Sequence, residues 1–145
     1  GIYGGFSHSK LFLNVREKNS LAYYVASRLE SHKGLMMVMS GIEFENFELA
    51  VSIIKEQMEA MKSGDFTDEE ITQTKAVIRN QLLETLETAR GMVEILYHTV
   101  VSEVQVSLDD WLTGMEETTK DEIVAVANKV NLDTVYFLTG MEAAE

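Results

Sequence analysis

The first apolar cluster of the chain has helical spacing. Leu11, Phe12 and Val15 fall on one side of a helix. Ser7 or Ser9 is a candidate cap for this helix, and its expected end is near Lys18 and Asn19. The pattern predicts a short amphipathic helix within the first 19 residues.

The segment that follows has the composition of strands. "LAYYVASRL" spans residues 21–29 and "GLMMVMSGI" spans residues 34–42, and both are rich in β-branched, aromatic or other apolar residues. "ESHK" separates the two runs, and Gly34 supplies a residue that tolerates the backbone of a tight turn. We therefore expect an antiparallel β-hairpin.

Helical spacing returns after the hairpin. An apolar stripe runs through residues 46–61 and ends at "SGD", residues 63–65; its members are Phe47, Val51, Ile54, Met58 and Met61. Thr67 and Glu70 form a capping box at the start of a second, longer helix. Its expected inner face consists of Ile71, Ile78, Leu82 and Leu86. The first of these helices is expected to pack on the hairpin through its stripe.

Further capping signals divide the second half of the chain. Gly91 is expected to interrupt the long helix before "MVEILYHTVVSE". Ser107 caps a short element around "LDDWL", and Thr119 with Glu122 repeats the capping box for a helix over residues 123–130. The run "DTVYFLTG", residues 133–140, predicts a final strand.

This order of elements predicts the fold class. A helix, two strands, four helical segments and a last strand do not alternate as parallel βαβ units do. We expect an α+β fold with two layers, an antiparallel sheet packed against helices, in a single domain over residues 1–145. Three strands are few for this many helices, so we also expect upstream strands and a longer parent chain.

Composition narrows the range of partners. The 24 acidic residues exceed the 12 basic ones and give a net charge of −12, which disfavours nucleic acid and anionic membranes as partners. The chain has no cysteine, no apolar run long enough for a membrane span and no signal-peptide pattern at its start. We therefore expect a cytoplasmic protein.

The chain shows few motifs that carry chemistry. His8, His32 and His98 lack the partners of an HExxH or HxxEH zinc motif, so we expect no metal site within this chain. No GxxxxGK[ST], GxGxxG or GxSxG motif occurs. "GIYGG", residues 1–5, is a weak glycine loop whose simpler explanation is a helix C-cap and a flexible turn. The acidic pairs lie at helix starts or on polar helix faces, and at a helix start their charge complements the helix dipole.

Arg16 and Tyr23 are the remaining candidates, and each also has an ordinary structural explanation. Arg16 lies in the last turn of the first helix, where a cation relieves the helix dipole. Tyr23 alternates with Leu21 and Val25, as a half-buried strand residue does. The residues alone leave both explanations open.

The opening segment resembles one known family. "GIYGGFSHSKLFLNVREKNSLAYYVASRLESHKGLMMV" is similar to the M16 zinc peptidases (insulinase, pitrilysin and mitochondrial processing peptidase), in the domain type of their second half. The similarity consists of a glycine loop, a Ser-(Arg/Lys)-Leu-Phe word, an Arg-Glu-Lys word and a Leu-(Ala/Gly)-Tyr word. These words fall on Gly4, Gly5, Ser9, Lys10, Leu11, Phe12, Arg16, Glu17, Lys18, Leu21, Ala22 and Tyr23.

This resemblance implies an accessory role. In the family, one domain carries zinc on an HxxEH helix, and the facing domain supplies an arginine and a tyrosine that bind the substrate backbone. The resemblance places Arg16 and Tyr23 in those accessory catalytic positions, where their donors would bind a peptide carbonyl as it gains charge. The resemblance implies that this chain binds no cofactor itself and that a partner domain or subunit, in cis or in trans, carries the zinc. It also implies that the substrate is a peptide. Alone, this chain would be inactive.

Two other functions remain open from the sequence. Some family members keep the fold without cleaving peptides, so the chain could be a non-catalytic structural or assembly subunit. The "SHS" at residues 7–9 also departs from the usual glycine-loop sequence. The second alternative is a generic α+β peptide-binding module unrelated to peptidases.

Overall fold

The computed structural model describes residues 1–30, 33–101 and 107–140. A π-helix (Phe12–Glu17) follows an opening loop and precedes strands β1 (Ala22–Glu30) and β2 (Leu35–Ile42). After a 3-10 turn at Phe44–Asn46 come the helices, which are α1 (Phe47–Ser63), α2 (Asp68–Leu86), α3 (Ala89–Val101), α4 (Leu108–Glu117) and α5 (Lys120–Ala127). The α+β architecture, with an antiparallel sheet packed against helices, confirms the predicted fold class.

The first helix is wider than the apolar pattern predicts. Its turn closes through a bond from the Lys18 amide to the Leu13 carbonyl at 2.9 Å, five residues back, which makes it a π-helix. Ser9 does not act as its cap, because the Ser9 hydroxyl donates to the Phe6 carbonyl at 2.6 Å and the cap position is occupied by Leu11. The predicted cap was therefore wrong, although the helix exists.

The opening glycine loop is packed rather than flexible. Ile2, Tyr3 and Gly4 are buried, and the Gly4 carbonyl accepts the amide of Ser27 in β1 at 2.6 Å. A Cβ on Gly4 would lie 2.7 Å from the Leu11 side chain, so only glycine allows this approach. The loop thus forms part of the core and covers one position on the edge of β1.

The predicted hairpin is confirmed. β1 and β2 pair antiparallel, with Ala22 opposite Ile42 and Glu30 opposite Leu35, and Gly34 has the positive φ of 61° that was expected in the turn. The register is irregular between Ala22 and Tyr24. One face of the hairpin contributes to the core through Val25, Met36, Val38 and Ile42. His32, which follows β1, lies outside the described residues.

Helices α1, α2 and α5 complete the core. α1 ends at Gly64, whose φ of 75° forms the left-handed cap, and α2 begins at the predicted Thr67–Glu70 capping box. Ser107 caps α4 and the Thr119–Glu122 box caps α5, also as predicted. The buried stripe of α1 is rotated relative to the prediction, because Ala50 and Ile53 are buried with Met61.

The break between α2 and α3 falls before the predicted glycine. α2 ends at Leu86 and α3 begins at Ala89, so Gly91 lies inside α3. A Cβ on Gly91 would lie 2.0 Å from the carbonyl oxygen of Thr85. Gly91 therefore permits the close approach of α3 to the end of α2, rather than interrupting the helix itself.

The predicted final strand is wrong. Residues 133–140 form no strand, and the only sheet in the described part of the chain is the β1–β2 pair. Phe137 instead packs its ring on Phe47 at 4.3 Å between centroids. A strand requires a neighbouring strand to accept and donate its backbone hydrogen bonds, and this apolar run lacks one here.

None of the described helices combines the length and apolar content needed to cross a bilayer.

Candidate functional site

Arg16 lies on the exposed side of the last turn of the π-helix. Its guanidinium carbon stands 4.7 Å from the centroid of the Phe12 ring, four residues earlier, in a cation–π contact. Such stacking leaves the N–H groups at the edge of the guanidinium plane available to acceptors. Within residues 1–30, 33–101 and 107–140, no carboxylate forms a salt bridge with Arg16.

The turn after the π-helix brings this arginine to the start of β1. Ser20 has a positive φ of 52°, and it is the only non-glycine residue with that conformation in the described segments. The amides of Ser20 and Leu21 then donate back to the carbonyls of Arg16 at 2.9 Å and Val15 at 3.1 Å. A left-handed residue at this position closes the helix and reverses the chain into the strand.

Tyr23 lies where the pairing of the hairpin shifts. Ala22 pairs with Ile42 and Tyr24 with Gly41, so Tyr23 is the extra residue of a β-bulge. Its side chain is 70% exposed, and its phenol donates a hydrogen bond to the Glu43 carboxylate. The predicted half-buried packing of Tyr23 is therefore not observed, because the bulge turns the ring toward solvent.

Arg16 and Tyr23 thus lie on adjoining elements but do not bond to each other. The C-terminal turn of the π-helix adjoins the first residues of β1, and both side chains are exposed there. The two side chains have different partners: Arg16 stacks on Phe12, and Tyr23 donates to Glu43. A guanidinium and a phenol are both donors that suit a carbonyl or carboxylate oxygen.

Buried polar contacts hold the supporting framework in place. The Tyr3 hydroxyl donates to the Ile54 carbonyl of α1 at 3.1 Å, and burial raises the pKa of Tyr3 above its ordinary value of 10.0. Tyr3 is therefore a neutral donor at physiological pH. The Asn14 amide donates to the Gln57 side chain at 2.9 Å, which joins the π-helix to α1. The Tyr3 contact thus joins the opening loop to α1, and the Asn14 contact holds the helix that carries Arg16.

His8 is the histidine whose side chain the structure describes, and it packs without belonging to a cluster of metal-binding side chains. His8 bonds through Nε2 to the hydroxyl of Thr74 at 3.0 Å, and its ring stacks on Phe6. No group of three or more histidine, aspartate and glutamate side chains in those segments is placed to hold a metal ion. The ring of His8 instead joins the opening loop to α2.

Sequence reasoning missed two residues of the site. Phe12 lies four positions before Arg16, and that helical spacing alone could have indicated the stacking contact. Glu43 follows β2 directly, but its contact with Tyr23 depends on the hairpin register and on the bulge. Neither of those features can be read from the strand pattern.

Sequence similarity to known proteins extends over nearly the whole chain. A probable inactive metalloprotease of Bacillus subtilis, YmfF, is 60% identical over 144 residues, which is 99% of this chain and 34% of that protein. An uncharacterized zinc protease of Streptomyces coelicolor is 30% identical over 88% of this chain and 28% of its own length. The chain therefore spans about a third of the length of the curated relatives it matches.

A solved structure and a family model agree with these matches. The crystal structure of a conserved protein from Enterococcus faecalis superposes with a TM-score of 0.82 and 36% identity, over 89% of this chain and 31% of that one. Residues 1–78 match the family model described as the peptidase M16 inactive domain. That match includes the glycine loop, the π-helix, the hairpin and α1. The chain belongs to the peptidase M16 family, as a domain of its inactive, non-catalytic type.

Proposed function

We propose that this chain is the substrate-binding part of an M16-type zinc endopeptidase. Arg16 and Tyr23 hold the backbone of an extended peptide opposite a zinc ion that another domain or subunit carries, in cis or in trans. The chain is one domain of a longer, cytoplasmic protein and does not cleave peptides alone. The curated relatives are about three times its length, and one of them is named a zinc protease, which supports this arrangement.

One observation carries the proposal: two exposed donors of different type stand on adjoining elements. The guanidinium is at the end of the π-helix and the phenol is on the bulge of β1. π-turns and β-bulges are uncommon in proteins overall but are enriched at functional sites. They direct a side chain to a position that a regular helix or strand would not reach. Here both devices occur within the segment from Phe12 to Tyr24.

The chemistry of the proposed site follows from its donors. A peptide carbonyl that is attacked by zinc-bound water gains negative charge on its oxygen. A guanidinium and a phenol fixed beside that oxygen donate stronger hydrogen bonds as the charge grows. Zinc supplies the activated water when the partner is present, and this chain supplies the donors that bind and orient the peptide.

Binding of an extended peptide tests the proposal. We expect a fluorescein-labelled, uncharged 12-residue peptide to bind the 145-residue chain, measured by fluorescence anisotropy with and without a zinc-bearing M16 subunit. Arg16→Ala should weaken binding about tenfold and Tyr23→Phe about threefold, the range for a charged and a neutral hydrogen bond. Arg79→Ala and Tyr136→Phe are matched controls, because both side chains are exposed elsewhere, Arg79 on α2 and Tyr136 after α5. Equal affinities for all four variants would reject the proposal.

The competing function is a non-catalytic assembly subunit, and a separate observation favours it. α3 exposes Val93, Leu96 and Val100 at helical spacing, which is the pattern of a helix that packs on another surface. The 60% identical relative is also named as a probable inactive metalloprotease. Under this alternative, Arg16→Ala leaves peptide binding unchanged while Leu96→Asp prevents association with an M16 partner in gel filtration. Family membership excludes the third alternative, a module unrelated to the peptidases.

A further inference from the structure

The two proposed donors differ in whether they are already engaged. The Tyr23 phenol donates to Oε1 of Glu43, which is the first residue after β2. Arg16 has only the face of its guanidinium covered, by the Phe12 ring. No salt bridge to Arg16 is present in the described segments. One donor of the site is therefore free and the other is occupied by a carboxylate of the same chain.

A phenol cannot serve both acceptors. It has a single proton to donate, whereas a guanidinium has five N–H groups. An ionised carboxylate is a stronger acceptor than a peptide carbonyl in its ground state. A peptide that takes the Tyr23 hydrogen bond must therefore displace Glu43 first.

The hairpin geometry keeps Glu43 in place for this competition. The pair Ala22–Ile42 sets Glu43 one residue beyond the last pair of the ladder, diagonally across from the bulged Tyr23. Diagonal neighbours on paired strands are within reach of aromatic and long side chains. The contact is thus a consequence of the register and does not require the two chain segments to move.

We propose that Glu43 is a positioning residue that competes with the peptide for the Tyr23 phenol. This inference rests on the proposed function. In the free chain, Glu43 holds the phenol, and Arg16 makes the first contact with an arriving peptide. The phenol transfers to the peptide carbonyl only when that carbonyl is already held by Arg16. Charge that develops on the carbonyl oxygen then shifts the competition away from Glu43.

Substitution of Glu43 tests the competition. Glu43→Ala removes the internal acceptor, so the uncharged 12-residue peptide should bind about two- to fivefold more tightly, the range of an exposed hydrogen bond to a carboxylate. Glu43→Gln keeps a weaker, neutral acceptor and should give an intermediate affinity. Glu45→Ala is the matched control, since it removes an exposed carboxylate of the adjacent 3-10 turn. That control should leave the affinity unchanged.

A double-mutant cycle shows whether Glu43 acts through Tyr23. In a Tyr23→Phe background, Glu43→Ala should have no effect, because no phenol proton remains to compete for. The NMR resonances of the Tyr23 ring give a direct readout. They should move in the same direction on Glu43→Ala as on addition of peptide to the unchanged chain.

The outcomes separate the two proposals. One outcome is that Tyr23→Phe weakens peptide binding while Glu43→Ala does not tighten it. That result disproves the competition and leaves the proposed site standing. If neither Arg16→Ala nor Tyr23→Phe weakens binding, the proposed function itself fails. An equal tightening by Glu45→Ala would assign the effect to general charge and overturn the inference.

Discussion

Two regions of the molecule differ in how they bury their apolar side chains. The first, the core unit, comprises residues 1–78 and α5, and the second, the outer helices, comprises α3 and α4. In the described part of the chain, all thirteen buried hydrophobic residues belong to the core unit, and the two with no exposed surface are Leu11 and Val15. Both regions also expose large apolar side chains, but the described outer helices contribute none to the buried set. Their exposed ones are Met92, Val93, Leu96, Tyr97, Val100 and Trp111.

The difference indicates which part can be stable by itself. In the core unit, apolar faces of the loop, π-helix, hairpin and α1 meet one another, and α5 is fastened by the Asn128 amide to the Lys62 carbonyl at 3.0 Å. The outer helices are held mainly by polar contacts, such as Lys75 to the carbonyls of Glu116 at 2.6 Å and Thr118 at 2.8 Å. Their large apolar side chains are exposed and form no second core in the described part of the chain.

The largest expected effect is that of a leucine truncation in the core unit. Leu11 is 0% exposed, so Leu11→Ala should lower the free energy of unfolding by about 3–5 kcal/mol through lost burial and a cavity. Leu96 in α3 is 64% exposed, and Leu96→Ala should cost less than about 0.5 kcal/mol. Urea unfolding followed by circular dichroism measures both. Similar costs for the two variants would show that the regions do not differ in burial.

Replacing one glycine with alanine in each region should change the free energy of unfolding in opposite directions. A Cβ on Gly4 would meet the side chains of Leu11 at 2.7 Å and Ser27 at 2.8 Å, so Gly4→Ala should destabilise the chain by about 1–3 kcal/mol. Gly114 lies inside α4 with nothing within 4 Å of its Cβ position. Gly114→Ala should therefore stabilise by up to about 1 kcal/mol through helix propensity. Thermal melts of the two variants give the signs, and a loss in both would contradict the open surface at α4.

The same contrast explains how much of the fold could be predicted from the sequence. Capping at Thr67, Ser107 and Thr119 is decided by residues three positions away, and all three caps were predicted correctly. The final strand was not, because its existence depends on a partner strand and residues 133–140 lack one in the described segments. Local signals were sufficient where the physical cause is local.

The candidate site shows the same limit. The resemblance singled out Arg16 and Tyr23, and their roles stay predictions. The π-turn before Arg16 and the bulge at Tyr23 depend on how the helix and strands pack, and periodicity does not encode that packing. The role of Gly91 was misassigned for the same reason, since its lack of a Cβ matters only beside the Thr85 carbonyl.

The smallest expected effect concerns the pH dependence of the α5 cap. The Glu122 carboxylate accepts from the Thr119 amide at 2.8 Å and from the Thr119 hydroxyl at 3.0 Å. The amide hydrogen bond is the main cause that holds the pKa of Glu122 below its ordinary value of 4.5. Because the pKa is lower in the folded state, this carboxylate stabilises the fold above pH 4.5, and the stabilisation is lost as the pH falls through the folded value.

Glu122→Gln removes this titration while leaving an amide oxygen to accept the cap. The melting temperature of the variant should therefore fall less steeply with acidification below about pH 5 than that of the unchanged chain. Glu117→Gln, at the exposed end of α4, is the matched control in the outer helices and should leave the slope unchanged. Because α5 packs on the rest of the core unit through Ala127 and Val124, a weaker cap should also weaken that contact. Equal slopes for the Glu122 and Glu117 variants would show that the cap of α5 contributes no more to the core unit than a solvated carboxylate does.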